Sequence, residues 1–133
     1  MDIPKIQWYP GHIAKAEKKL SEIINKVDLV IEVRDARIPL STGHPHLNKW
    51  IKNKKHILVI NRSDMISPNT INSWNKWFNA KDQYPLWCDA KRGIGIKDIV
   101  SQQKILGRQS TIEDSLEECE LGQLEPLHLV FQT

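Results

Sequence analysis

The chain has 133 residues and a formal net charge of +3, a length that suits one domain. It has no apolar run of membrane-spanning length, and the start Met1-Asp2-Ile3-Pro4-Lys5 lacks a secretory h-region; these features predict no membrane partner and a cytoplasmic location. Cys88 and Cys119 are too few and too isolated for a disulfide framework or a zinc site. Charge is uneven. Residues 108–133 hold one basic and six acidic residues, a balance of −5, which leaves +8 on residues 1–107. That basic part suits RNA or nucleotide phosphates, and equally a solvated lysine-rich surface.

Residues 5–11 are expected to be extended or turning, because Pro10-Gly11 interrupts regular structure. A helix is predicted over 12–26, with Ile13, Ala16, Leu20, Ile23, Ile24 and Val27 on one face. A strand follows over 28–34, then the loop Asp35-Ala36-Arg37-Ile38-Pro39-Leu40, ended by Ser41-Thr42-Gly43. A short helix is predicted over 45–52, with Leu47, Trp50 and Ile51 inward. His56 to Ile60 read as a short buried strand, left through Asn61-Arg62-Ser63-Asp64. Ser67-Pro68 reads as an N-cap with proline at the first helical position. That helix runs to about residue 80 and is expected to bury Ile71, Trp74, Trp77 and Phe78. A third strand is predicted over 84–88, then a glycine-containing loop over 89–95. A last helix is predicted over 96–106, with Ile99, Val100 and Leu106 inward.

Strands alternating with helices predict right-handed crossovers and an α/β fold, a three-layer parallel sheet flanked by helices. Ligands of such sheets bind beyond the carboxyl ends of the strands. Three strands end in polar clusters, Asp35-Ala36-Arg37, Asn61-Arg62-Ser63-Asp64 and Asp89-Ala90-Lys91, and parallel strands bring all three to one edge. An aspartate placed like Asp64 can accept from the two adjacent N–H groups on the edge of guanine, a pair that adenine lacks. With the wrong base its carboxylate is left unpaired, at a cost. Asn61, donor and acceptor at once, can hold the other side of the base and tie the loop to a neighbour.

These motifs resemble those of a known family. Trp8-Tyr9-Pro10-Gly11-His12-Ile13-Ala14-Lys15-Ala16 is similar to the N-terminal signature of the circularly permuted GTPases of ribosome assembly, the ribosome biogenesis GTPase A group. Asp35-Ala36-Arg37-Ile38-Pro39 resembles the loop after their first strand. Asn61-Arg62-Ser63-Asp64 resembles the guanine-specificity motif Asn-Lys-x-Asp, with arginine for lysine, and Asp89-Ala90-Lys91 resembles Ser-Ala-Lys. The order of the motifs is that of the permuted family, and the resemblance covers about residues 5–107. It implies an incomplete circularly permuted Ras-like GTPase domain that binds GTP or GDP and acts on ribosomal RNA or a large-subunit precursor. It also implies roles for single residues. Asp64 would read the base, Asn61 would bond it and brace the loop, and Arg62 would lie over base or ribose. The Ala90 N–H would meet the base oxygen, Asp89 begins that loop, and Lys91 would cover the other face. His12 would orient or deprotonate the attacking water, only in a complete family member.

The family continues with a glycine-rich phosphate loop ending Gly-Lys-Ser, whose hydroxyl holds Mg²⁺. This sequence contains no Gly-Lys-Ser or Gly-Lys-Thr. The resemblance therefore implies a chain truncated before that loop, weak in GTP binding and inactive in hydrolysis alone. Residues 108–133 read as a divergent acidic tail, expected to be partly disordered; Leu127 to Phe131 is its only strand-like run. The alternative function is a non-enzymatic RNA- or ribosome-binding module using the basic N-terminal helix. His44-Pro45-His46 read as loop residues rather than metal ligands, since no third ligand is evident.

Overall fold

The structure is a computed structural model that describes residues 10–52, 54–106 and 129–132. Helix α1 spans Pro10–Asn25 and begins earlier than expected. Proline's fixed φ and missing N–H suit the first turn of a helix, so Pro10 opens this one instead of stopping it. Strand β1, Leu29–Asp35, has five buried residues in succession, the pattern of a strand covered on both faces. A single helical turn, α2 at Leu47–Trp50, leads to strand β2, Lys55–Asn61. Helix α3, Pro68–Asn79, starts as predicted: Ser67 Oγ accepts the Thr70 N–H at 3.2 Å. Strand β3 is only Leu86–Trp87, and helix α4 is Ile96–Leu106. Strand β3 starts directly after Pro85, which has no N–H for a ladder; beyond Trp87 the pairing continues through Cys88 N–H to Ile60 O and Ser63 N–H to Cys88 O, both at 3.0 Å.

The sheet order is β3-β2-β1 with parallel pairing, as expected, and a fourth strand, β4 at Leu129–Gln132, lies antiparallel on the outer edge of β1. The strand-like run of the acidic tail thus pairs with the sheet, displaced from 127–131. The remainder of the expected disordered tail lies outside the described residues, as does the extended stretch expected over 5–9. None of the described helices is long and apolar enough to cross a membrane.

Alternation along the strands sends Leu29, Ile31 and Val33, with Ile57, Val59 and Cys88, to one face, where Ile99 of α4 packs on them. The opposite face carries two clusters. Val30 packs with Ile24 of α1, with Val27 just beyond that helix, and with Leu47 and Ile51 around α2. Leu58 and Ile60 pack under Phe78 of α3, with Trp74 and Trp87 beside them. Glu32 lies on that same face, 4% exposed, with Arg34 Nε at 2.7 Å from one oxygen and His56 Nε2 at 3.1 Å from the other. Arg34 also donates to Pro39 O at 3.3 Å and stands 6.0 Å from the Phe78 ring. Gly43 makes room for it, since a Cβ there would come 2.7 Å from the Arg34 guanidinium carbon.

Two faces expected to be buried are partly open. Only the last turns of α1 reach the sheet: Ile24 is buried, while Ile13 is 51% exposed and Ala16 is exposed too. Farther along the helix, Glu17 pairs with both His44 Nε2 and His46 Nδ1 at 3.5 Å, pinning the α1 helix to the loop before α2. Among the described residues no group of three acidic, histidine or cysteine side chains can hold a metal ion. In α3, Phe78 is fully buried and Trp77 lies at the surface, where Lys81 Nζ sits 4.7 Å from its ring.

Candidate functional site

Three chain segments meet where the parallel strands end. Asp35, the last residue of β1, is the register partner of Asn61, the last residue of β2. The next residue, Ala36, donates its N–H to Asn61 O at 2.8 Å, so the chain after β1 folds over the end of β2. On the other side, Ser63 N–H donates to Cys88 O at 3.0 Å. The Asn61 side chain closes the junction: its Oδ1 accepts the Ala90 N–H at 3.0 Å and lies 3.5 Å from Cys88 Sγ. Asn61 is 8% exposed. It braces the second motif against the third, one of the two roles expected of it.

That bond changes the expectation for Ala90. Its N–H, expected at a base oxygen, is committed to Asn61, and the residue is buried. Asp89 likewise faces inward. It is 4% exposed, and its Oδ1 accepts the Arg92 N–H at 3.3 Å, capping the turn Ala90–Arg92. Its Oδ2 is buried with no hydrogen-bond partner, the Arg92 Nε standing off at 3.6 Å. Gly95 lets this loop close. Its φ is +80°, and a Cβ there would run into the Trp87 carbonyl oxygen. Asp89 and Ala90 are buried, while Arg62, Asp64 and Lys91 are exposed on the same edge. Arg62 takes a left-handed conformation, φ 65°, which turns the chain into the single 3-10 turn Ser63–Met65 and presents Asp64 on it. His12 lies in α1, and its side chain is outside what is described.

A further pair completes the rim. The Asp35 carboxylate accepts three bonds from Arg37: backbone N–H at 2.9 Å, Nε at 3.0 Å and Nη2 at 2.7 Å. The Arg37 hydrogen bonds hold the Asp35 carboxyl below its usual range, with a smaller push from the charge of Arg62. Arg37 is in turn raised by Asp35, first by the hydrogen bond and then by charge, and it also feels the charge of Asp64. These four side chains form one alternating set of charges. The motif Asp35-Ala36-Arg37 was visible in the sequence, but its contact with Asn61 needed the register of β1 against β2 to be seen. Replacing Asn61 by alanine would orphan the buried Ala90 N–H, and this is expected to cost about 1–3 kcal/mol of unfolding free energy. Urea unfolding of Asn61→Ala measures it; an unchanged midpoint would mean that the brace carries no load.

No protein-family model matches the chain. Relatives do. The chain is 40% identical over 101 residues to ribosome biogenesis GTPase A of Priestia megaterium, covering 76% of this chain and 35% of that protein. Over these residues the chain belongs to the ribosome biogenesis GTPase A family. It spans about a third of the length of those relatives. It is also 42% identical over 82 residues to Short integuments 2, mitochondrial, of Arabidopsis thaliana (62% of this chain, 21% of that protein). A further likeness is to mitochondrial ribosome-associated GTPase 1 of Mus musculus, 46% identical over 59 residues, covering 44% of this chain and 18% of that protein. In fold, the chain is similar to GNP-bound YlqF from T. maritima, with a TM-score of 0.58 at 23% identity, over 68% of this chain and 37% of that one. The likeness in fold and the observed parallel pairing of β1, β2 and β3 agree on an α/β architecture.

Proposed function

We propose that this chain carries the base-reading half of a guanine-nucleotide site, used in assembly of the large ribosomal subunit. The observation that supports this most directly is the bond from Ala90 N–H to Asn61 Oδ1, which locks the second and third strand ends together and leaves Asp64 exposed beside them. Asp64 takes the two adjacent N–H groups of guanine, Arg62 lies over base or ribose, and Lys91 covers the other face. Family membership supports GTP or GDP as the ligand and a ribosomal partner, and it supports His12 as the water-orienting residue where a phosphate half is supplied.

That phosphate half has no counterpart among these residues. The sequence contains no Gly-Lys-Ser or Gly-Lys-Thr, and no described cluster fits a metal ion, so Mg²⁺ has no evident protein ligands here. Phosphate and Mg²⁺ contacts supply most of the affinity in sites of this class. The 133-residue chain alone is therefore expected to bind GTP and GDP weakly and to hydrolyse nothing. Calorimetric titration tests this: micromolar binding or measurable turnover would overturn it. Asp64→Asn is expected to abolish whatever preference for guanine over adenine remains, because it turns an acceptor into a partial donor.

One observation favours a second reading. The first turns of α1 stand clear of the sheet with Ile13, Lys15, Lys18 and Lys19 exposed, a surface suited to a non-enzymatic RNA- or ribosome-binding module. Salt-dependent RNA binding that is indifferent to Asp64→Asn would favour that reading over the first.

A further inference from the structure

Successive residues of a strand turn their backbone groups to opposite sides. In β2, Lys55 N–H bonds Asp28 O and Asn61 O accepts from Ala36 N–H, both toward β1, while Ile60 O accepts from Cys88 N–H, toward β3. His56 and Leu58, in phase with Ile60, therefore present their backbone groups on the β3 side. There the ladder begins only where Val59 stands opposite Leu86. Before that point, the Leu58 N–H and both backbone groups of His56 have no backbone partner among the described residues. Leu58 is 5% exposed, and main-chain polar groups in so covered a place are normally paired.

A cavity of about 320 Å³ lies against this stretch, lined by His56, Ile57 and Leu58 in succession. A hollow on one face of a sheet would meet alternate residues only, so this one wraps the edge itself. Leu86 and Leu106 give it apolar walls, and Tyr84 and Gln102 bring in the turn before β3 and the last turns of α4. His56 is a fixed part of the lining, because its Nε2 is held by Glu32 at 3.1 Å. The complement of alternating N–H and C=O groups is another main chain, and apolar walls beside them suit a side chain. The volume is at the small end for ligand sites. At about 3.3 Å per residue, the free edge matches a segment of about three residues. Set between a turn and a helix end, it is open to a free extended segment rather than to the edge of a second folded sheet.

We propose that this edge is a docking site for an extended peptide of a partner protein, which pairs its main chain with His56 and Leu58 as a short added strand and seats one apolar side chain against Leu86 and Leu106. The site lies at the start of β2, whereas the proposed base-reading residues follow its end. The two readings therefore stand or fall separately.

The test adds the capped pentapeptide acetyl-Lys-Thr-Leu-Thr-Lys-amide to the 133-residue protein at millimolar concentration and follows amide chemical shifts. Shifts are expected at His56, Leu58 and Leu86, with Asp64 and Lys91 unmoved. Only one edge of an added strand faces β2. N-methylation of the leucine alone, or of the two threonines alone, is therefore expected to weaken binding about tenfold in one peptide and to leave the other unchanged. Gln102→Trp places an indole at the cavity from an exposed position; it is expected to lose the shifts while keeping the wild-type urea midpoint. The N-methylated pair decides on the wild type, whatever the fold of that variant. In the free protein the His56 and Leu58 amides are expected to exchange rapidly with solvent, and to slow once the peptide is bound. Four results overturn the inference: no shifts at millimolar peptide, two N-methylated peptides that bind alike, undiminished binding in a folded Gln102→Trp, or slow exchange of both amides in the free protein, which would mean that the chain itself or a second copy covers the edge.

Discussion

Glu32→Ala is expected to lower the unfolding free energy by about 3–5 kcal/mol, because it leaves a cation buried without its partner. The cation is Arg34, whose side chain is 12% exposed and whose Nε lies 2.7 Å from the Glu32 carboxylate. Removing both charges is a different matter. Glu32→Met with Arg34→Met in one protein is expected to cost much less than Glu32→Ala, since hydrophobic replacement of a buried pair is often near neutral. Equal losses in the single and double variants would show that the triad with His56 is not what stabilises the strand pair. The pH dependence has a definite sign. Burial pushes the Glu32 carboxyl up, but hydrogen bonds from His56 and Arg34, and then their charges, leave it below the ordinary 4.5. A group lowered in the folded state stabilises fully above its unfolded value and loses that contribution as pH falls through the folded one. The gap in urea midpoint between wild type and Glu32→Gln is thus expected to shrink as the solution is acidified below about pH 4.5. A gap independent of pH down to the acid limit would contradict the assignment.

Phe78→Ala is expected to cost about 3–5 kcal/mol, the range for emptying an aromatic position in a packed core. Phe78 is fully buried and holds α3 onto Leu58 and Ile60. Its ring also contacts Trp74 and Trp77, at centroid distances of 5.9 and 5.0 Å. Trp77→Ala one residue away gives the contrast. That side chain is 39% exposed, so the loss should be well under half as large. The comparison by thermal or urea unfolding fails if the two variants are equally destabilised. Both variants leave the strand-end residues untouched, so the proposed guanine preference should survive wherever the protein remains folded.

Much of the parallel core was legible in the sequence because its signals are local. Apolar runs at 29–33 and 56–60, and the Ser67-Pro68 cap, each announce an element without reference to the rest of the chain. The strand-end clusters were legible for the same reason, since a parallel sheet collects them at one edge. What escaped depends on register or on the reach of a neighbour. Glu32 finds His56 only because Val30 is the partner of His56, which leaves Glu32 on the diagonal. Nothing in the run Leu-Val-Ile-Glu-Val-Arg announces that pairing. The helical period of α1 shows its apolar stripe but not that the sheet supports only its last turns. The period of α3 gave Trp77 and Phe78 alike to the core, where only Phe78 fits. The acceptor that the Ala90 N–H finds, Asn61 Oδ1, lies at another strand end, so no local signal announces that bond. Gln103 of α4 is 5% exposed, and no sequence signal marks a buried amide there.

The edge strand β4 bears on how the molecule assembles. Its partners, Leu29 with Gln132 through Glu32 with Leu129, are the most distant in sequence of any strand pair in the sheet, whereas β1, β2 and β3 join neighbours through short crossovers. Chain closure over so long a separation is entropically late. The parallel core is therefore expected to nucleate, with β4 docking onto a surface already formed. Contacts made after the barrier weigh on unfolding speed and hardly on folding speed. The antiparallel strand is thus expected to act as a latch, setting how long the folded state survives more than how quickly it is reached.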